Sequence, residues 1–285
     1  MIQSMTGYGK SVVQLPSKKI TVEIKSLNSK NLDLHARVPS SYREKELEMR
    51  KTISKSLTRG KVDFNLYVEI TAEETSSKLN EPMVKQYMKQ LSNVVDGEAV
   101  ELLKMAIRMP DALKTERKEI EETEFNDINQ ALNEALIAIN KYRSDEGHVL
   151  EEDFKQRSIT ISELLEKVIL IDNDRIDIVK ERLRKAISDL NETIDENRFE
   201  QELIYYLEKY DITEEKVRLK NHLNYFNEAL ESEDSNGKKI GFICQEIGRE
   251  INTIGSKSNH APMQQLVVQM KDELEKIKEQ ALNVL

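Results

Sequence analysis

The sequence predicts an α+β protein that is predominantly α: a small N-terminal β-containing domain, then long helical hairpin or bundle segments, then a C-terminal helical region. Three observations carry this reading. Apolar and polar residues alternate at period two only within the first 70 residues. From Pro82 onward apolar positions recur at helical spacing. The chain of 285 residues is 33% charged with only 9 Gly and 5 Pro, a balance that suits long solvent-bathed helices rather than a compact β-fold.

The elements follow in order. Lys19 to Lys25 and Val62 to Val68 alternate as half-buried strands do. Gly7 and Gly9 interrupt the first segment, which reads as a strand opening into a turn. Between the strands, Ser40-Ser41-Tyr42-Arg43 leads into a helical pattern through Leu47, Ile53 and Leu57 that Gly60 ends. Phe125, Ile128, Leu132, Leu136 and Ile139 form one helical stripe. A second runs from Gly147 to about Ile194 through Leu150, Phe154, Ile161, Leu165, Val168, Leu183, Ile187 and Leu190. Unbroken, this second pattern would reach about 68 Å at ~1.5 Å per residue, too long for one small domain. It therefore predicts an arm or interface paired with another helix, with a break near Asp172-Asn173-Asp174 as the alternative. Asp211 and Glu214 resemble a capping box before a further helix. A loop at Ser232–Gly237, a helix from Lys239 to Ile254 and a charged helix from Met263 complete the chain. The division expected is 1–80, 81–195 and 196–285.

The single cysteine, Cys244, excludes an intrachain disulfide, and its place in an apolar stripe suits an inert core thiol. No export signal is visible at the N-terminus and no run approaches a membrane span, so a cytoplasmic protein with no membrane partner is expected. The net charge of −9 argues against a polyanionic partner, but its distribution does not. Residues 1–70 hold 13 Lys and Arg against 7 Asp and Glu, while the rest holds 30 against 45. A basic head on an acidic body can localise a polyanion.

Candidate chemistry concentrates near the C-terminus. Ile240, Ile243, Cys244, Ile247, Ile251 and Ile254 share one helical stripe, and Glu246 and Glu250 lie off it, one turn apart. Such a like-charged pair favours a cation, either a hard divalent metal or the neighbouring Arg249 and Lys257; a plain solvated face is its commonest meaning. On the preceding helix Glu215, Arg218 and His222 project along one side, bordering Leu219, Leu223, Phe226 and Leu230. In the head, Lys25, Lys30, Arg59 and Lys61 are candidate phosphate ligands, the last two flanking Gly60; solubilising turn charges are the competing reading. No zinc-ligand cluster, P-loop, nucleophile elbow or dinucleotide fingerprint occurs.

Read together, the segments resemble the YicC/YloC family of bacterial endoribonucleases. Ser4-Met5-Thr6-Gly7-Tyr8-Gly9 is similar to that family's opening, and Glu23 to Asp33 to its ExxSxNxRxLD pattern. Arg59-Gly60-Lys61-Val62, Arg143 to Gly147, Arg198 to Glu202 and Asp211 to His222 match further stretches. Gln245-Glu246, Arg249-Glu250 and Asn252 to Lys257 match the C-terminal signature. Gly241, Gly248 and His260 depart from the commoner residues, and Gly248 costs about 1 kcal/mol of helix propensity.

The resemblance implies RNA cleavage dependent on a divalent metal, Mn or Mg, by a homo-oligomer, a hexamer, that encloses RNA, with no small-molecule organic cofactor. It carries Glu215, His222, Glu246 and Glu250 over as candidate metal or catalytic residues. Arg143, Glu146, Arg218 and Arg249 follow as orienting groups, and Arg143, Arg218, Arg249 and Lys257 as RNA contacts beside those of the head. A non-catalytic RNA-binding adaptor that presents RNA to another nuclease is the competing reading. A helical scaffold with no RNA partner is the third, and the basic head disfavours it.

Overall fold

A computed structural model describes residues 2–71, 78–114, 120–188, 196–232 and 236–285. Four strands form the N-terminal sheet: β1 (Gly7–Gln14), β2 (Lys18–Leu27), β3 (Leu32–Arg37) and, after helix α1 (Glu46–Ser56), β4 (Gly60–Ile70). The spatial order is β1-β2-β4-β3, antiparallel except for the β3–β4 pair that α1 connects. The alternation seen in the sequence decides the faces. Ile20, Val22, Ile24, Val62 and Phe64 are fully buried on one side, and charged and polar residues occupy the other.

A satellite of β5 (Lys78–Leu79), α2 (Glu81–Ser92), α3 (Ala99–Ala106) and β6 (Leu113–Lys114) follows, with its own small core of Val84, Ala106 and Ala112. Helix α4 (Glu122–Ser188) is 67 residues long, about 100 Å at ~1.5 Å per residue. Helices α5 (Glu196–Tyr210), α6 (Thr213–Glu231), α7 (Gly237–Lys257) and α8 (Ala261–Ala281) complete the chain.

One stripe of α4 organises everything else. Phe125, Ile128, Leu132, Ala135 and Ile139 close the sheet's core. Farther along the same stripe, Phe154, Ile161, Leu165 and Val168 join the core built by α6, α7 and α8. The expected division at 80 and 195 therefore does not follow the cores, because α4 belongs to both. Two expected helices are one, since Gly147 continues the helix instead of starting a new one. No break occurs at Asp172 either: the helix continues because Asp172 is ion-paired to Arg175 at 2.8 Å and Lys216 at 2.7 Å. The hairpin expected of the arm is present. Arg184 lies 5.7 Å over the Phe199 ring and Arg175 donates to the Tyr210 carbonyl, so α5 runs back along α4. The side chains of Leu183 and Ile187, residues Leu190 and Ile194, and positions 233–235 of the expected loop lie outside the described residues.

Between its two cores α4 is crossed by the N-terminal segment. Arg143, only 2% exposed, donates to the Met5 carbonyl, the Ser26 hydroxyl and the Arg59 carbonyl. One turn on, Glu146 accepts from the Thr6 hydroxyl at 2.5 Å. A Cβ on Gly147 would lie 2.1 Å from the Ile2 carbonyl oxygen. Gly7 and Gly9, expected to open a turn, instead lie within or at the start of a continuous strand. Their purpose is clearance, since a Cβ on Gly9 would lie 2.1 Å from the Ala135 carbonyl oxygen of α4. The C-terminus joins the same place: Met5 N donates to Asn283 O, Leu285 N to Gln3 O, and Gly237 N to Leu285 O.

The crossing yields a prediction. Gly147→Ala should destabilise the chain by about 2 to 3 kcal/mol, because backbone rather than a flexible side chain occupies the space a methyl would need. Urea unfolding measures the loss. Amide exchange at Met5 and Leu285 should quicken with it, and wild-type stability in the variant would show that the close approach is not needed.

Candidate functional site

Helices α6 and α7 form an antiparallel hairpin held at both ends. At one end Lys239 lies 4.8 Å over the Tyr225 ring. At the other the Lys257 ammonium stands 2.8 Å from Glu215 and donates to the Asp211 carbonyl at 2.9 Å. Asp211 accepts from Thr213 N just ahead of α6, whose N-cap is Ile212 with no side-chain cap, so the expected Asp–Glu box does not form. Between these anchors Glu215, Arg218, His222 and Tyr225 follow one side of α6, and Lys239, Glu246, Glu250 and Lys257 one side of α7. Antiparallel register sets His222 level with Glu246 and Arg218 level with Glu250. The quartet chosen from the sequence therefore shares one seam.

Its members differ sharply in environment. Glu250 is 5% exposed, and no hydrogen bond or ion pair to its carboxylate exists among the described residues. Glu246 and His222 are half-buried. Glu215 is 6% exposed; one carboxylate oxygen meets Lys257 and the other, Oε2, is buried without a partner among the described residues. Among the described residues no group of three or more His, Cys, Asp or Glu side chains is placed to hold a metal ion. A single chain thus offers two neighbouring carboxylates with an imidazole at their level, not a closed cage. That arrangement suits an ion that keeps several waters.

The cations divide into free and engaged. Arg218 pairs with Glu214 on the solvent side and Arg249 is exposed. Lys257 serves Glu215. Arg143, expected among the RNA contacts, is taken up in the interior, where burial lowers its pKa and its acceptors are neutral oxygens. In the head Lys30 and Lys61 are exposed, Lys25 is 3.5 Å from Glu23, and Arg59 is steadied by the Ser29 carbonyl at 3.0 Å. The head reaches the hairpin through the chain ends. Asn28 donates to the Leu282 carbonyl, and Gly237, where α7 begins, bonds Leu285.

Sequence reasoning missed a second polar cluster. Asp172 and Arg175 are buried at the Glu215 end of the seam with the half-buried Lys216, and Arg175 also donates to the Lys257 carbonyl at 3.2 Å. Its signal was present: Ile161, Leu165 and Val168 are continued at the same spacing by Asp172 and Arg175, polar residues at core positions. A cavity of about 290 Å³ lies at this base of the arm, lined by Asp172, Arg175, Tyr206, Tyr210, Asp211 and Thr213. Cys244 is fully buried and burial pushes its thiol up to about 12, in keeping with an inert core residue. Gly248 sits under α8, where a Cβ would lie 3.2 Å from Leu274, and Gly241 faces open space.

Two family models match the chain: "Endoribonuclease YicC-like, N-terminal region" over residues 2–152 and "Endoribonuclease YicC-like, C-terminal" over residues 170–285. A curated relative from Clostridioides difficile, "Probable endoribonuclease YicC", is 34% identical over 293 residues and covers all of both chains. One of the same name from Haemophilus influenzae is 28% identical over 287 residues, again over the whole of each.

The Lys257–Glu215 pair carries a stability prediction. Lys257→Met should cost about 2 kcal/mol, because it strands a nearly covered carboxylate without a cation. Adding Glu215→Gln should restore most of the loss. Urea unfolding of the single and double variants tests this, and a Lys257→Met midpoint equal to wild type would show the pair to be energetically idle.

Proposed function

The chain belongs to the YicC-like endoribonuclease family, and from that premise we propose that it is a metal-dependent endoribonuclease working in the cytoplasm as a homo-oligomer, a hexamer that encloses RNA. The observation that carries the reading is Glu250: a residue only 5% exposed whose carboxylate has no hydrogen-bond or ion-pair partner among the described residues, one turn from Glu246 and, by helix register, at the level of His222. Leaving such a charge uncompensated is unfavourable, and a divalent cation between the two carboxylates relieves it.

Glu246 and Glu250 would hold Mg²⁺ or Mn²⁺, with water or a neighbouring subunit completing the ligands. When bound, the ion supplies charge stabilisation for the scissile phosphate and activation of water. The His222 imidazole would hold or hand over a proton at the reacting oxygen. Arg249, exposed on the adjoining side of α7, is available to a non-bridging phosphate oxygen. Glu215 is a positioning residue in this scheme, since its ion pair with Lys257 fixes how α6 lies on α7. The cations of the head, Lys30, Arg59 and Lys61, hold the strand along the route from the sheet to the start of α7.

The adaptor reading keeps one observation in its favour, the lack of a three-donor metal group among the described residues. Single-turnover cleavage of a labelled structured RNA decides between them. Wild type with Mn²⁺ or Mg²⁺ should cut and EDTA should abolish cutting. Glu246→Gln and Glu250→Gln should each slow the step by roughly 100-fold or more, and His222→Asn by about 10- to 100-fold. Glu250→Gln should also leave the metal-free thermal midpoint unchanged or raised, because a neutral amide removes an uncompensated charge. Wild-type rates in both Glu variants would defeat the site, and binding without cleavage by wild type would establish the adaptor. Light scattering at micromolar concentration should give an oligomer; a monomer would sink the cage.

A further inference from the structure

The sheet of the head has one face packed on α1 and α4 and one face open, and the strand register writes the open face out in rows. Tyr8, Lys25, Asp63 and His35 lie in one line across β1, β2, β4 and β3. The next line is Lys10, Glu23, Asn65 and Arg37, and the one after it Val12, Thr21 and Tyr67. Leu27, Lys61 and Asp33 border the first. Tyr8 is 39% exposed, Tyr67 50%, and His35 is exposed as well. Two strands and four residues separate the tyrosines, about 17 Å from strand spacing and rise. Asn65 is 7% exposed, and its side-chain oxygen has no hydrogen-bond partner among the described residues although it lies on this face.

We propose that this open face is a platform for single-stranded RNA, on which unpaired bases stack against Tyr8 and Tyr67 while Asn65 and Asp63 meet their polar edges. The inference rests on the reading of the chain as an RNA-acting protein and adds a binding surface and a substrate form to it. Stacking on aromatic rings spread over a flat sheet requires bases that are out of a helix, so the occupant is a loop, bulge or end rather than a duplex.

The charges fit this occupant. The Glu23 carboxylate is taken up by the Tyr8 hydroxyl at 2.8 Å and by Lys25 at 3.5 Å, and Glu69 lies 3.9 Å from Lys19. Asp33 is beside Lys61 in register. Lys10 and Arg37, exposed at the two edges, then flank the rows as phosphate contacts, and Lys30 and Arg59 continue them around the rim. A second copy of the chain is a poorer occupant. The exposed apolar residues Val12 and Leu27 lie toward opposite ends of adjacent strands, and docking a copy would bury the charged rows between them.

Fluorescence anisotropy with the full chain tests the platform, using a labelled 12-nucleotide oligouridylate and an RNA duplex of equal length as probes. Tyr8→Leu with Tyr67→Leu should weaken oligouridylate binding at least tenfold and leave duplex binding unchanged. Tyr67→Phe should bind as wild type, since the ring remains. The salt dependence of the Leu variant should keep its slope, because no charge is lost, whereas Lys10→Glu with Arg37→Glu should flatten it. The chain contains no Trp, so Tyr67→Trp provides a lone reporter whose emission oligouridylate should quench. Equal affinity of wild type and the Leu variant for oligouridylate overturns the platform while sparing the RNA reading. No binding of either RNA by wild type overturns both. A change of mass by light scattering in the Leu variant would instead make the face a contact between copies and overturn the platform.

Discussion

A single helix that serves two cores must be held at the point where it passes from one to the other, and in this protein Arg143 does so. Its guanidinium gathers the N-terminal segment, β2 and the turn before β4, through Met5, Ser26 and Arg59, onto the middle of α4. Burying a charge there without a carboxylate is costly, and several directed hydrogen bonds are the compensation. Glycine completes the crossing: Gly147 lets the Ile2 carbonyl approach α4, and Gly9 lets β1 lie against it. Removing any of these groups would act on both cores, since both borrow their packing from the same stripe.

That junction also determines where the hairpin of α6 and α7 sits. The N-terminal segment bonds the last residues of the chain, Asn283 and Leu285, and Leu285 in turn receives the first amide of α7. The head is thereby fastened to the helix that carries Glu246 and Glu250. An extended polyanion gripped on the head passes the beginning of α7, and Glu246 lies nine residues further on, about 13 Å along the axis. The far end of the seam is closed by Lys257 and Glu215, and behind them by the cluster of Asp172, Arg175 and Lys216. Charged residues placed at both ends of the hairpin specify its register, because sliding one turn would strand them.

Much of this was legible in order along the chain. Period-two alternation located β2 and β4, and helical spacing located α6, α7 and α8 with their apolar faces. The acid pair on α7 and the histidine at its level were visible as groups lying off a core stripe. Other features were not visible, and for one common reason. Arg143, Glu146 and Gly147 look like chemistry when read as a motif, yet their partners Met5, Thr6 and Ile2 are more than 130 residues away. Gly7 and Gly9 look like a turn until α4 is known to press on them. Asp172 looks like a helix break until Lys216 is seen opposite it.

The sequence by itself determined what depends on neighbours within a few turns: which segments are helix or strand, which face of each is apolar, and which side chains are left off that face. Those are consequences of backbone geometry and of water's rejection of apolar surface, and both act locally. The tertiary structure decided which of the remaining polar groups are spent and which are left over. Lys257 and one terminal nitrogen of Arg143 meet distant oxygens, while the Nε of Arg143 and the carboxylate of Glu250 have no partner among the described residues. Satisfaction of a buried polar group is a property of whatever the fold brings within about 3 Å of it, and spacing along the chain does not contain that information.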